Sequence, residues 1–131
     1  MMSYRTFLAN VFSLSEWIAS DKPNRQWVNG ETGLSSVVNP EEFFEMALGD
    51  DDLENMISHF SADLKSENAY DAVSAYRDAL LKLETLFDSD PRIEPRRLLA
   101  SSEWLKLCSA AREVVALPAA QTAFHTCTRS G

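Results

Sequence analysis

Residues 68–88, NAYDAVSAYRDALLKLETLFD, constrain the fold most strongly, because they predict one long amphipathic helix. Apolar side chains recur here every three or four residues, the spacing that places them on one helix face. They are Ala69, Val73, Tyr76, Leu80, Leu83 and Phe87. At 1.5 Å of rise per residue, the helix would be about 30 Å long, which is the width of a small domain. We therefore expect it to be the central scaffold of the fold.

The rest of the chain also favours helices over strands. Only four glycines and five prolines occur in 131 residues, and turn formers are frequent in all-β chains. Apolar periodicity predicts further helices at residues 3–20, 39–48, 50–65 and 96–116, and one or two turns after Pro118. We expect an all-α, single-domain bundle over residues 1–131, with five to six mostly antiparallel helices. Its length allows a core without metals or disulfides.

Residues 21–38 are the part of the chain with the most turn signals, including Pro23 and Asn29-Gly30. We expect an ordered loop, with a small hairpin around Asn29-Gly30 as the alternative. Trp27 could cover the core, as large aromatic side chains are mostly buried, or it could anchor an interface. The same two roles remain open for Trp104.

The expected location is the cytoplasm, because no targeting or membrane segment is predicted. Polar residues interrupt the apolar run near the N-terminus, which fits an amphipathic first helix better than a signal peptide. No run of 18 apolar residues is present. Cys108 and Cys127 fit neither a disulfide framework nor a zinc-site spacing. The net charge of −8 argues against nucleic acid and anionic membranes as partners and favours a basic one.

Negative charge is concentrated in residues 26–64, which contain nine acids and neither Lys nor Arg. Asn39-Pro40 predicts a helix start, and acids in a first turn stabilise a helix. This local reason covers Glu41, Glu42, Asp50, Asp51 and Asp52. It does not account for the missing bases, since interspersed charges of both signs would serve solubility equally well. Two interpretations remain open: a solvated surface, or a surface that recognises a basic partner.

No pattern in the sequence predicts catalysis, a metal site or a cofactor. His59 and Asp63 are four residues apart and could touch on one helix face, but a general base needs a nucleophile or substrate pocket beside it. The triplet Asp50, Asp51 and Asp52 lacks the alternating spacing of a calcium loop. We expect a non-enzymatic protein that binds neither metal nor cofactor.

The acidic helix pair EEFFEMALGDDDLENM, with the length, acidity and helical content of the chain, resembles bacterial toxin immunity proteins of the colicin and contact-dependent-inhibition types. The resemblance implies a cytoplasmic inhibitor that blocks a cognate toxin domain, often a basic nuclease. The residues that we expect to bind this partner are Glu41, Glu42, Glu45, Asp50, Asp51, Asp52 and Glu54. We expect a monomer or weak dimer. The alternative is a helical adaptor or assembly module held by apolar contacts, without an inhibitory role.

Overall fold

The computed structural model describes residues 3–29, 40–50 and 53–129, with the side chains of residues 50 and 127–129 left out. Most of these residues are helical and none of them is in a strand, so the predicted all-α bundle is confirmed. Two short segments, Asn24–Val28 and Glu45–Asp50, have the wider π-helical geometry. The α-helices are α1 (Tyr4–Ala19), α2 (Pro40–Phe44), α3 (Leu53–His59), α4 (Ser61–Ser66), α5 (Tyr70–Ser89), α6 (Pro95–Ala100), α7 (Ser102–Val115) and α8 (Pro118–Arg129).

The long helices pack in the order α8, α1, α7, α5. Helix α1 lies against both α8 and α7, and α7 lies against α5 on its other side. Helix α5 is the longest described helix. It matches the predicted residues 68–88 to within two residues at its start and one at its end, and it buries Val73, Tyr76, Leu80 and Leu83. It also contacts α3 and α4. Helix α5 therefore packs against α7 and also supports the short helices α3 and α4.

The turn between α4 and α5 is formed by Asn68, whose φ of 57° lies in the left-handed region. Asparagine tolerates this conformation better than most residues. The Ala69 N–H donates to the Leu64 carbonyl at 2.8 Å, and the Asn68 N–H donates to the Lys65 carbonyl at 3.2 Å. This pair of hydrogen bonds is a Schellman motif, which ends α4 and lets α5 start in a new direction.

The predicted single helix over residues 96–116 is wrong, because Ser101 divides it into α6 and α7. Ser101 has an extended backbone, with φ −69° and ψ 153°. Its hydroxyl donates to the Leu98 carbonyl at 2.6 Å and accepts from the Trp104 N–H at 3.1 Å. One serine thus satisfies a carbonyl at the end of α6 and an amide at the start of α7. Local hydrogen bonding overrides the continuous apolar pattern here.

The two acidic helices are also more divided than predicted. The second helix does not end at Gly49, since Glu45–Asp50 continues it in π-helical geometry. The third is interrupted at Phe60, whose φ of −98° and ψ of 19° separate α3 from α4. The predicted N-cap Asn39 lies outside the described residues. As a result, the α-helical parts of this region are no longer than seven residues.

Helix α8 is longer than the one or two turns predicted after Pro118, because it spans 12 residues. Its small side chains Ala120 and Ala123 are buried, and α8 packs along α1. The rings of Phe12 and Phe124 meet at 4.8 Å between their centroids. Tertiary packing against α1 stabilises this helix, which the sequence marked only weakly.

Residues 21–29 form an ordered but helical segment rather than a loop. The Asn29 N–H donates to the Asn24 carbonyl at 3.2 Å, a hydrogen bond between residues five apart. Trp27 is buried, and its ring lies 5.3 Å from that of Trp17, 5.6 Å from Phe43 and 5.7 Å from Trp104. Trp27 and Trp104 are therefore core residues. The hairpin alternative falls mainly on residues 30–39, which lie outside the described residues.

Cys108 is a buried free thiol. Its Sγ lies 3.7 Å from the Ile18 carbonyl oxygen, to which the thiol donates, and burial raises the pKa of the thiol. Across the described residues, no helix has both the length and the hydrophobicity needed to cross a membrane.

Candidate functional site

A surface groove of about 610 Å³ lies between residues 41–49, in α2 and the π-helical segment that follows it, and the C-terminal half of α5. We call it the acidic groove. It joins parts of the chain that are about 40 residues apart in sequence, and its size falls in the ordinary range of binding pockets. The described residues that line it are Glu41, Phe44, Glu45, Leu48, Gly49, Glu84, Phe87, Asp88 and Pro91.

The floor of the acidic groove is apolar and partly aromatic. The rings of Phe44 and Phe87 meet at 5.3 Å between centroids with an interplanar angle of 40°. Phe44 is buried, while Phe87 and Leu48 remain partly accessible. This ring contact holds α2 onto α5 and leaves apolar surface open at the groove.

Four carboxylates border the floor. Glu41 and Glu45 come from one side, and Glu84 and Asp88 come from α5. The two acids of each pair are four residues apart, a spacing that keeps both side chains on one side of a helix. No Lys or Arg is among the described residues that line the groove. The site therefore combines an apolar floor with negative charge on two sides.

The two pairs differ in their local role. Glu41 lies in the first turn of α2, where the helix dipole favours an acid. Asp88 lies in the last turn of α5, where the dipole disfavours an acid, and no basic residue occupies that turn. Helix capping thus explains Glu41 but does not explain Asp88.

The π-helical segment Glu45–Asp50 forms one edge of the groove. It supplies Glu45, Leu48 and Gly49. Gly49 is exposed, and a Cβ atom added there would meet nothing within 4 Å. A larger side chain at this position would consequently enter open space without displacing a neighbour.

Only part of the predicted binding set lines this groove. Glu41 and Glu45 do, whereas Glu42 and Glu54 are exposed elsewhere on the surface. The side chain of Asp50, and Asp51 and Asp52 entirely, lie outside the described residues. Of the four predicted residues whose side chains are described, the structure therefore brings two together, with two further acids from α5.

Glu84 and Asp88 were missed because residues 66–131 are nearly balanced in charge, with nine acids and eight bases. The available signal was local: both acids flank Phe87, the last apolar residue of the α5 stripe. An acidic pair beside an aromatic residue at the end of a buried stripe could have been identified. Its contact with Phe44 could not.

The His59–Asp63 pair does not lie on one continuous helix, because the break at Phe60 separates the two residues. The exposed His59 ring packs edge-on against Phe60 at 4.7 Å. Asp63 instead lines a second cavity, of about 560 Å³, with Tyr4, Arg5 and Glu67 among its neighbours. Burial, followed by the nearby Glu67 carboxylate, raises the pKa of Tyr4.

No protein-family model, no curated protein and no solved structure matches this chain. The geometry and charge of the described residues are therefore the basis for inferring a function. Their most distinctive arrangement is the acidic groove. Among the residues whose placement is described, no group of three or more His, Cys, Asp and Glu side chains is arranged to hold a metal ion.

Proposed function

We propose that this protein is a non-enzymatic inhibitor that binds a basic, nuclease-like bacterial toxin domain and covers its active or substrate-binding surface. The acidic groove carries the proposal, because it places four carboxylates around an accessible apolar floor. Such a surface is complementary to a partner that presents Lys or Arg around an apolar residue. The resemblance to immunity proteins supports the inhibitory role.

Stability alone is a poor explanation for this arrangement. Like charges close together repel each other, and Asp88 is also unfavourable for the dipole of its own helix. Exposed apolar surface bordered by polar residues is typical of interaction sites. A binding role accounts for both features, since a cationic partner would neutralise the carboxylates and cover the floor.

The inhibitory mechanism follows from charge. A nuclease binds the phosphates of its substrate through Lys and Arg. Carboxylates held in the acidic groove would pair with the same side chains, so that the protein and the nucleic acid compete for one surface. Long-range attraction between opposite charges would also speed the encounter, most strongly at low ionic strength.

Charge reversal in the groove tests the proposal. The tagged full-length chain is used to isolate its partner from the native host, and association with the purified partner is then followed by stopped flow. The variant Glu41→Lys/Glu45→Lys/Glu84→Lys should associate ~10- to 100-fold more slowly than wild type at low salt. It should also fail to protect cells that express the partner.

The matched control is Glu16→Lys/Asp78→Lys/Glu113→Lys, which changes the net charge equally at exposed acids that neither line the groove nor belong to the predicted binding set. It should keep most of the association rate and the protection. Equal rates for the groove variant and wild type would exclude the groove as the interface. A complex that forms independently of salt and protects nothing would instead support the adaptor function.

A further inference from the structure

We infer that the acidic groove receives an arginine side chain of the partner, with the guanidinium over the partly accessible Phe87 ring and between the two carboxylate pairs. This inference rests on the proposed function and specifies which chemical group occupies the site. Charge complementarity carries it, because carboxylates on two sides of the groove favour a cation between them.

The floor decides against a purely polar occupant. Phe44 and Phe87 are in contact at 5.3 Å, and Leu48 and Pro91 extend the apolar lining. A small hydrated cation would leave this surface uncovered. A purely apolar side chain would cover it, but would take water from nearby carboxylates without replacing their hydrogen bonds. The occupant must therefore have an apolar stem and a cationic end.

Arginine fits these demands better than lysine. Its guanidinium is planar, more weakly hydrated than an ammonium group, and stacks on aromatic faces. Its five N–H donors can also reach carboxylates on two sides at once. Lysine carries a compact, strongly hydrated charge, which favours water over contact with an aromatic floor. The combination of an aromatic floor and two acidic sides therefore selects for arginine.

Two synthetic peptides test the choice of cation. Both have capped ends and three basic residues separated by Gly-Ser spacers; one carries arginine and the other carries lysine. Binding to the full-length protein is measured by calorimetry and by NMR titration. The arginine peptide should bind on the order of five-fold more tightly. Its addition should shift the amide signals of Leu48, Gly49 and Phe87.

Two variants locate the binding. Gly49→Leu fills open space at the groove and should abolish the preference for arginine. Glu45→Gln/Glu84→Gln removes one carboxylate from each side and should lower the affinity for the arginine peptide several-fold. Glu113 is an exposed acid outside the groove, and the Glu113→Gln variant should bind the arginine peptide like wild type. Circular dichroism and thermal unfolding establish that each variant is folded.

The outcomes separate this inference from the proposed function. Equal affinity for the two peptides, or signal shifts away from the groove, would overturn the assignment of arginine. If the charge-reversal variant still failed to bind the partner, the proposed function would stand and only the assignment of arginine would be wrong. Conversely, a preference for arginine that Gly49→Leu removes would support the inference even where the isolated partner proved not to be a toxin.

Discussion

At the scale of single residues, Ser101 shows how one hydroxyl can decide the path of the chain. It accepts from the Trp104 N–H at 3.1 Å and donates to the Leu98 carbonyl at 2.6 Å. Trp104 is thereby placed in the first turn of α7, where its ring packs against Trp27. The serine cap thus positions part of the aromatic core that holds the π-helical segment Asn24–Val28.

Replacing Ser101 with alanine should lower the free energy of unfolding by about 1 kcal/mol, the usual cost of losing a serine cap. Urea denaturation measures the change. Ser109→Ala, at an exposed position inside α7, is the control and should be neutral or slightly stabilising, because alanine is the better helix former. An equal loss in both variants would contradict a specific role for the cap.

Asp88 provides a second prediction at this scale. Because it lies in the last turn of α5, Asp88→Asn should raise the free energy of unfolding by about 0.5 kcal/mol. Asp71→Asn, in the first turn of the same helix, should lower it by a similar amount. Denaturation at low and high salt measures both. Destabilisation by Asp88→Asn would mean that the acid serves the fold rather than a partner.

At the scale of elements, the short π-helical segment at residues 24–28 is held by aromatic contacts rather than by its own length. Trp27 meets Trp17 from α1, Phe43 from α2 and Trp104 from α7, at 5.3 to 5.7 Å. Aromatic pairs add about 0.5–1.5 kcal/mol each beyond the burial of their surface. One side chain therefore connects three helices, and α2 carries Glu41 and Phe44 to the groove.

Truncation of this ring tests the connection. Trp27→Ala should lower the free energy of unfolding by about 3–5 kcal/mol, because it leaves a cavity among three helices. Trp27→Phe retains a ring and should cost less. Leu105→Ala is the surface control, since Leu105 is 59 % exposed, and should change stability by less than about 0.5 kcal/mol. A stable Trp27→Ala protein with weakened partner binding would favour the interface role instead.

At the scale of the whole molecule, the helices divide the structure into two parts with different roles. The layers α8, α1, α7 and α5 bury most of the long apolar stripes. The short segments around α2 and α3 attach to α5, where Phe44 meets Phe87 and the carboxylates collect. The proposed binding through a groove beside this packed bundle needs no large change of shape.

The sequence was sufficient for the helical class because periodicity is a local property. The stripe from Ala69 to Phe87, together with the scarcity of glycine and proline, predicted α5 closely. Pro40, Pro95 and Pro118 stand at the first positions of their helices, as proline commonly does. The break at Ser101 and the two π-helical segments were missed, since apolar spacing alone does not distinguish them from continuous α-helix.

The candidate site depended on tertiary structure. By itself the sequence determined that Glu41 and Glu45 belong to an acidic helical segment. Only the packing of α2 on α5 decided that Glu84, Phe87 and Asp88 would join them and that Glu42 and Glu54 would not. The physical reason is that a hydrophobic stripe specifies which face of a helix is buried, but not which other helix covers it. The groove forms because α2 packs against the end of α5.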